Sequence, residues 1–284
     1  MTTTGTTAAR TRPVNPSLRV RSAKRVGGFV HRWLLLAVLV AVWEMVTRSL
    51  ADPFFPPPSE IASTAAELWF GGPASSLFLT DTVFENVFPG LARMLGSWAI
   101  AVVLGVAVGI MLGRSRTAMA YAGGTLNFLR AIPPPLLVGV FSAIVGLDAA
   151  PFWTIIFGAV WPILLNTVEG ARSVDATKID TARAFRLSRA QWFLGVVLPA
   201  ALPKIFAGLR LSLSLAVILM VVSELSGAGV GIGRALVDAQ ANYDLAQMWC
   251  WIVLLSILGY FFNTVLLIGE RRALRWQNTL GGTA

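Results

Sequence analysis

The chain has 284 residues, 56% of them hydrophobic and only 13% charged, with a mean hydropathy of +0.70; a soluble domain carries close to a quarter charged residues, so this composition excludes one and places the chain in a bilayer. No polar stretch is long enough for a soluble catalytic domain beside the membrane part. The formal charge of +9 does not point to nucleic acid, because the arginines stand beside hydrophobic runs, where positive charge marks the cytoplasmic face.

Residues 1–31 are rich in Thr, Ala and Arg, lack acidic residues and show no sustained apolar period, which predicts a flexible basic cytoplasmic tail. The first apolar run, Trp33 to about Leu50, has no small-residue cleavage site after it and reads as a retained transmembrane helix rather than a signal peptide. Further runs long enough to cross roughly 30 Å of hydrocarbon lie near Phe88–Leu112, Met119–Leu147, Pro151–Val168, Val196–Val222 and Leu245–Ile268. Residues 51–85 hold Asp52, Glu60, Glu67, Asp81 and Glu85 with no Lys or Arg; the next connection carries Arg114 and Arg116, and the one after only Asp148. Residues 169–195 then carry Arg172, Lys178, Arg183, Arg186 and Arg189, the following connection has Asp238 and Asp244 against Arg234, and the end of the chain has Arg271, Arg272 and Arg275 beside Glu270. Basic and acidic connections alternate, so the expected fold is an all-α polytopic membrane protein with six transmembrane helices and both termini cytoplasmic. The six-helix transmembrane part runs over residues 32–276, and 277–284 form a C-terminal tail.

Proline and glycine interrupt the spans. Pro133, Pro134 and Pro135 in "LRAIPPPLLVG" predict a bend, which is either a packing kink or the side of a pathway. Gly105 and Gly109, four apart, allow a close helix contact, although so glycine-rich a chain produces that spacing by chance. Arg130 and Glu224 are the candidates for buried ionisable groups, and with Pro133 they are the pathway candidates. The glycines of "GAGVGIG" at 227–233 have no lysine to reach a phosphate, and no nucleotide-binding loop occurs anywhere, so they read as a turn or a short re-entrant segment. One histidine, His31, and one cysteine, Cys250, leave little for catalysis or metal binding; Glu44, Glu224, Ser212, Ser214 and Ser223 form no recognisable nucleophile–base pattern.

The longest cytoplasmic connection, 169–199, includes "DTARAFRLSRAQWFLGVVLP" from Asp180. A helix over Ile179–Ala190 puts Ile179, Ala182, Phe185 and Ala190 on one side and Arg183, Arg186 and Arg189 on another, with Asp180 at its start either as a cap or as a charge for a partner. So short a helix needs a docking surface. That surface is either the membrane interface, with arginines on headgroups, or a cytoplasmic partner.

This segment resembles the cytoplasmic EAA loop of ABC-importer permeases, written Glu-Ala-Ala, three residues, Gly, nine residues, Ile-x-Leu-Pro. Asp180, Thr181, Ala182, Arg186, Val196, Leu198 and Pro199 stand at those spacings. The "PILLNTVEGARSVD" before it, "LRAIPPP" and "FPPPSEI" resemble the nitrate, sulfonate, taurine and bicarbonate branch of type I permeases, over about residues 33–276. The resemblance implies the type I permease fold and a coupling helix near 176–190, with Asp180, Thr181, Ala182, Arg183, Phe185, Arg186, Leu198 and Pro199 at the joint with a separate ATPase. It further implies two ATP-binding subunits that hold ATP and Mg, a second permease copy (a homodimer preferred), an extracytoplasmic solute-binding protein, and a multi-pass place in the bacterial inner membrane. The chain itself is then no enzyme and binds no cofactor directly. The sequence departs from the pattern in having Asp180 for Glu, Thr181 for Ala and Arg186 for Gly; arginine resists the positive-φ turn that glycine permits. The substrate expected from the branch is a small anion such as a sulfonate, nitrate or bicarbonate. A small heterocycle, or an ion-coupled secondary transporter with Arg130 and Glu224 on its route, are the alternatives.

Overall fold

The computed structural model describes residues 17–50, 52–227 and 229–276, with side chains described from residue 33. It divides into two units, residues 1–59 and 60–284. The described residues are helical, with no strand. Residues 1–16 and 277–284 of the two expected tails, and the His31 side chain, lie outside them.

In the first unit, α1 covers Ser17–Leu50, so the helix starts inside the stretch expected to be a flexible tail. Its apolar part, Trp33–Leu50, is long enough to span. Glu44, four residues from Arg48, accepts a 2.5 Å bond from the Arg48 Nε and receives both the backbone N–H (3.0 Å) and the hydroxyl (2.7 Å) of Ser59. A carboxylate inside an apolar run is thereby satisfied at the point where the chain turns into the next helix.

Helix α2 (Pro58–Phe70) begins with the last two residues of the first unit, and the second unit holds the rest of it with α3 (Phe88–Arg114), α4 (Arg116–Arg130), α5 (Leu137–Val145), α6 (Ala150–Arg172), α7 (Ala176–Ala184), α8 (Arg189–Trp192), α9 (Leu198–Leu225), α10 (Ile232–Ala241) and α11 (Leu245–Ala273). With α1, among the described residues five helices or helix runs are long and apolar enough to cross a membrane. Helices α4 and α5 make the sixth span when taken together, broken by a 69° bend. Pro133 stands at that bend in extended backbone (φ −64°, ψ 117°), as the proline run predicts: the residue before a proline is pushed out of helical backbone.

Two spans start earlier than hydropathy suggested. A single π turn over Val83–Val87 leads into α3, and another over Phe193–Val197 leads into α9, so the continuous runs are Val83–Arg114 and Arg189–Leu225. Each π turn lies just ahead of a proline, Pro89 or Pro199, at the start of the following helix. A proline has no N–H to give and its ring crowds the carbonyl four residues back. The preceding residue therefore bonds one position further: Phe88 N–H donates to Val83 O, and Leu198 N–H to Phe193 O. Leu198-Pro199 bends the ladder without ending the helix.

Helix α6 is the axis of the second unit, packed along its length by α3 on one side and α9 on the other. The α3 seam is made of glycine. A methyl carbon added at Gly105, Gly109 or Gly113 would lie 2.8, 2.6 or 2.7 Å from a side-chain carbon of Ile163, Thr167 or Ala171. Both helices thus present every fourth residue to the other, and the missing side chains on α3 bring the backbones together. The Gly105–Gly109 spacing, weak as sequence evidence, is the contact itself. Around this seam Met94, Ile155, Ile163, Leu219, Met220, Ile232 and Trp251 are fully buried. Cys250 is buried too, its Sγ 3.3 Å from Ile61 O.

Candidate functional site

Segment 169–199 leaves the membrane at the end of α6 and returns along α9. Ser173 closes α6 by donating its hydroxyl to Gly170 O (2.8 Å), and Val174 is buried. Asp175 then caps α7: its carboxylate accepts the Thr177 N–H at 3.0 Å from an extended residue (ψ 140°). Asp180, read from sequence as either a cap or a charge for a partner, sits mid-helix and pairs with Arg183 at 3.2 Å, both side chains about three-quarters exposed. Capping requires non-helical backbone, which Asp175 has and Asp180 lacks.

The expected single helix over Ile179–Ala190 is broken. Helix α7 ends at Ala184, and Arg186 takes a left-handed conformation with φ +49°. Leu187 N–H donates to Ala182 O (3.1 Å) and Arg186 N–H to Arg183 O (3.0 Å), which is the Schellman pattern of a helix stopped by a positive-φ residue. Arginine therefore makes, under strain, the turn that a glycine at this position makes freely. A second helix starts at once: Ser188 accepts the Gln191 N–H (3.3 Å) and donates its own N–H to the Gln191 side chain (2.9 Å), a capping box that opens α8. The Ser-x-x-Gln signal was present in "LSRAQ" and shows why Ala190 cannot share a face with Ile179.

The break gathers part of the expected site. Thr181, Ala182, Phe185 and Pro199 line one apolar groove of about 320 Å³, together with Leu187 and Trp276. Ala182 is buried against it, whereas Phe185 is 76% exposed at its rim. Leu198 is half-buried in the turn leading into α9. Asp180, Arg183 and Arg186 do not line the groove and form an exposed polar edge.

The pathway candidates are not brought together. Arg130 and Pro133 are exposed at the α4–α5 bend, so Arg130 is not the buried ionisable group expected; it closes a helix end, where cations are favoured. Glu224 is fully buried at the far end of α9. It accepts the Gly233 N–H at 2.8 Å from the start of α10 and lies 3.6 Å from Arg93 Nη1, while Arg93 Nη2 donates to Val230 O at 2.7 Å. Gly231 and Gly233 close on this carboxylate; a Cβ on Gly231 would fall 2.0 Å from its oxygen. Arg93, missed in the sequence, was legible as a charge five residues into an apolar run, which needs a partner. The same logic finds Arg210 in α9, which pairs with Glu270 of α11, while Lys204 meets Glu169 of α6 at 2.6 Å.

SsuC of Bacillus subtilis, a permease protein named for aliphatic sulfonates transport, is 28% identical over 269 residues, covering 94% of each chain. The bicarbonate transport system permease protein CmpB of Synechococcus elongatus is 38% identical over 201 residues, 69% of this chain and 72% of its own. The nitrate import permease protein NrtB of Synechocystis is 28% identical over 239 residues, 80% of this chain and 83% of its own. In fold, the chain is similar to a chain of the MetNI methionine ABC transporter in an inward-facing conformation, with a TM-score of 0.57 and 24% identity over 67% of this chain and 93% of that one. Residues 101–275, from the glycine seam of α3 to the end of α11 and including the whole of segment 169–199, match the model of the binding-protein-dependent transport system inner membrane component, and the chain belongs to that family of multi-pass inner-membrane permeases.

Proposed function

We propose that this chain is the permease subunit of an ATP-driven importer of a small anion of the sulfonate, nitrate or bicarbonate kind, and that α7, the Arg186 turn and α8 seat a separate ATPase. The observation that carries the coupling role is the exposed Phe185 beside the apolar groove of Thr181, Ala182, Leu187 and Pro199. An aromatic ring exposed at the mouth of an apolar groove on the basic, cytoplasmic side is a surface that gains by being covered. The Arg186 turn supports the same reading, since its positive φ stands at the position where the EAA pattern that this segment resembles has glycine. The substrate class rests on the names of the sulfonate, bicarbonate and nitrate relatives.

Two ATP-binding subunits that hold ATP and Mg, a second copy of this chain and an extracytoplasmic solute-binding protein complete the assembly. The test is reconstitution in proteoliposomes with the co-encoded ATPase and binding protein. Uptake of the anion that requires ATP, requires the binding protein and survives collapse of the proton gradient supports the proposal. Uptake by the permease alone that follows the proton gradient overturns it.

A further inference from the structure

A second cavity lies on the cytoplasmic side, apart from the Phe185 groove. It measures about 600 Å³ and is lined by Arg114, Arg116 and Arg172, with Gly113, Val174 and Ile179 among its other walls. Its construction follows from the glycine seam. Because Gly113 packs its backbone against Ala171, α3 and α6 end side by side, and their last residues, Arg114 and Arg172, open onto one hollow. Ser115 then turns the chain, its hydroxyl accepting the Ala118 N–H at 3.0 Å, and α4 starts there with Arg116.

Arg114, Arg116 and Arg172 are exposed residues that line this hollow without a carboxylate among its walls, and among the described residues none of the three takes part in an ion pair. Arg114 is instead held over the ring of Trp192, 5.4 Å from its centre, by the α8 helix. A cation at the end of α3 and another at the end of α6 are each favoured by their own helix. That preference explains a charge on each helix, but not why both, with a third from α4, line one polar hollow. Like charges around a shared cavity repel, and a multivalent anion between them removes the repulsion. Guanidinium forks match a phosphate or sulfonate group two oxygens at a time.

We infer that this cavity binds an oxyanion, a phosphate- or sulfonate-type group, contributed by an anionic lipid headgroup or by a free cytoplasmic ion. An oxyanion seated there touches α3, α4 and α6 on one side and Ile179 of α7 on the other, so its binding bears on the position of segment 169–199.

The test uses the full-length chain, purified and stripped of lipid in neutral detergent. Inorganic sulfate is titrated by calorimetry at low and high salt, and binding of phosphatidylglycerol is compared with phosphatidylcholine by native mass spectrometry. Wild type is expected to bind sulfate, or to prefer phosphatidylglycerol, and to weaken with added chloride. Sulfate binding identifies a free ion as a source, and a headgroup preference without sulfate binding identifies the lipid; either supports the site. Losing two charge-assisted contacts, the pair Arg114→Gln with Arg172→Gln should weaken that binding by about tenfold or more, whereas the corresponding lysine pair, which keeps the charge, should retain most of it. Arg234→Gln, on the opposite side of the membrane, should change nothing. If the glutamine pair fails to fold, Arg116→Gln at the exposed start of α4 reads the same cavity and should also weaken binding. Binding of neither probe, binding untouched by these substitutions, or an equal loss in Arg234→Gln overturns the inference.

Discussion

Arg186→Gly is a substitution with a calculable sign. Arg186 sits at φ +49°, where a Cβ costs about 1–2 kcal/mol. Glycine removes that strain but loses more freedom on ordering, which returns roughly 0.4–1 kcal/mol. The balance favours glycine by about 0.5–1 kcal/mol, a factor of about two to five in the closed-to-open ratio of the turn. The readout is local, because the hydrogen bonds from Leu187 to Ala182 and from Arg186 to Arg183 open without the membrane helices unfolding. Hydrogen exchange at the Leu187 amide should slow about two- to fivefold in Arg186→Gly, in line with that ratio. Arg186→Val, β-branched and worse in this conformation, should speed it. Faster exchange in Arg186→Gly, with Arg186→Val unchanged, would show that the side chain is held by contacts that outweigh its backbone strain, and the account of the turn would be wrong.

Asp175→Ala should remove the α7 cap and cost about 1 kcal/mol of local stability, while Asp180→Ala, which loses only an exposed pair with Arg183, should cost less than about 0.5 kcal/mol; exchange across 176–184 distinguishes them. Glu224→Ala should leave Arg93 unpaired beside the outer end of α9 and lower stability by about 3–5 kcal/mol in a thermal melt in detergent, and the double variant Glu224→Leu with Arg93→Met should recover more than half of the loss. Gly109→Val should force α3 from α6, since even a first carbon would stand 2.6 Å from Thr167, and should cost about 1–3 kcal/mol or block insertion; Gly96→Ala, with open space around it, should express and melt like wild type.

The spans were legible because hydropathy and the charge of each connection are long, redundant signals, and the proline bend was legible because Pro133 fixes its own backbone. The ends of helices were harder. Phe88 and Val196 were taken as starts, the first with Glu85 and Asn86 just before it, whereas the π turns ahead of Pro89 and Pro199 carry the helix further back. In segment 169–199 a period fitted over 12 residues ran through a stop and a restart that Arg186 and Ser188 impose locally. An arginine gives no sequence signal of positive φ. The groove itself was not read from the sequence: Thr181, Ala182, Phe185 and Pro199, which line it, were named only for the joint with an ATPase, and Trp276 arrives from the far end of the chain. The buried ionisable groups divided in the same way. Glu224 was found by its place in an apolar run, while Arg130 was misplaced because the bend that exposes it could not be oriented from sequence.

The central claim is that segment 169–199 receives an ATPase through an apolar contact at Phe185. The direct measurement is the affinity of the purified permease for its co-encoded ATPase in lipid, with wild type, Phe185→Ala and Arg189→Ala run side by side. Covering the Phe185 ring removes apolar surface worth roughly 1.5–3 kcal/mol, so Phe185→Ala should weaken the complex by about tenfold or more and reduce substrate-stimulated ATP hydrolysis with it; Arg189→Ala, on the exposed rim, should change affinity by about fivefold at most. A folded Phe185→Ala variant that binds the ATPase and stimulates hydrolysis as wild type does would contradict the claim and leave the segment as a helix lying on the membrane surface.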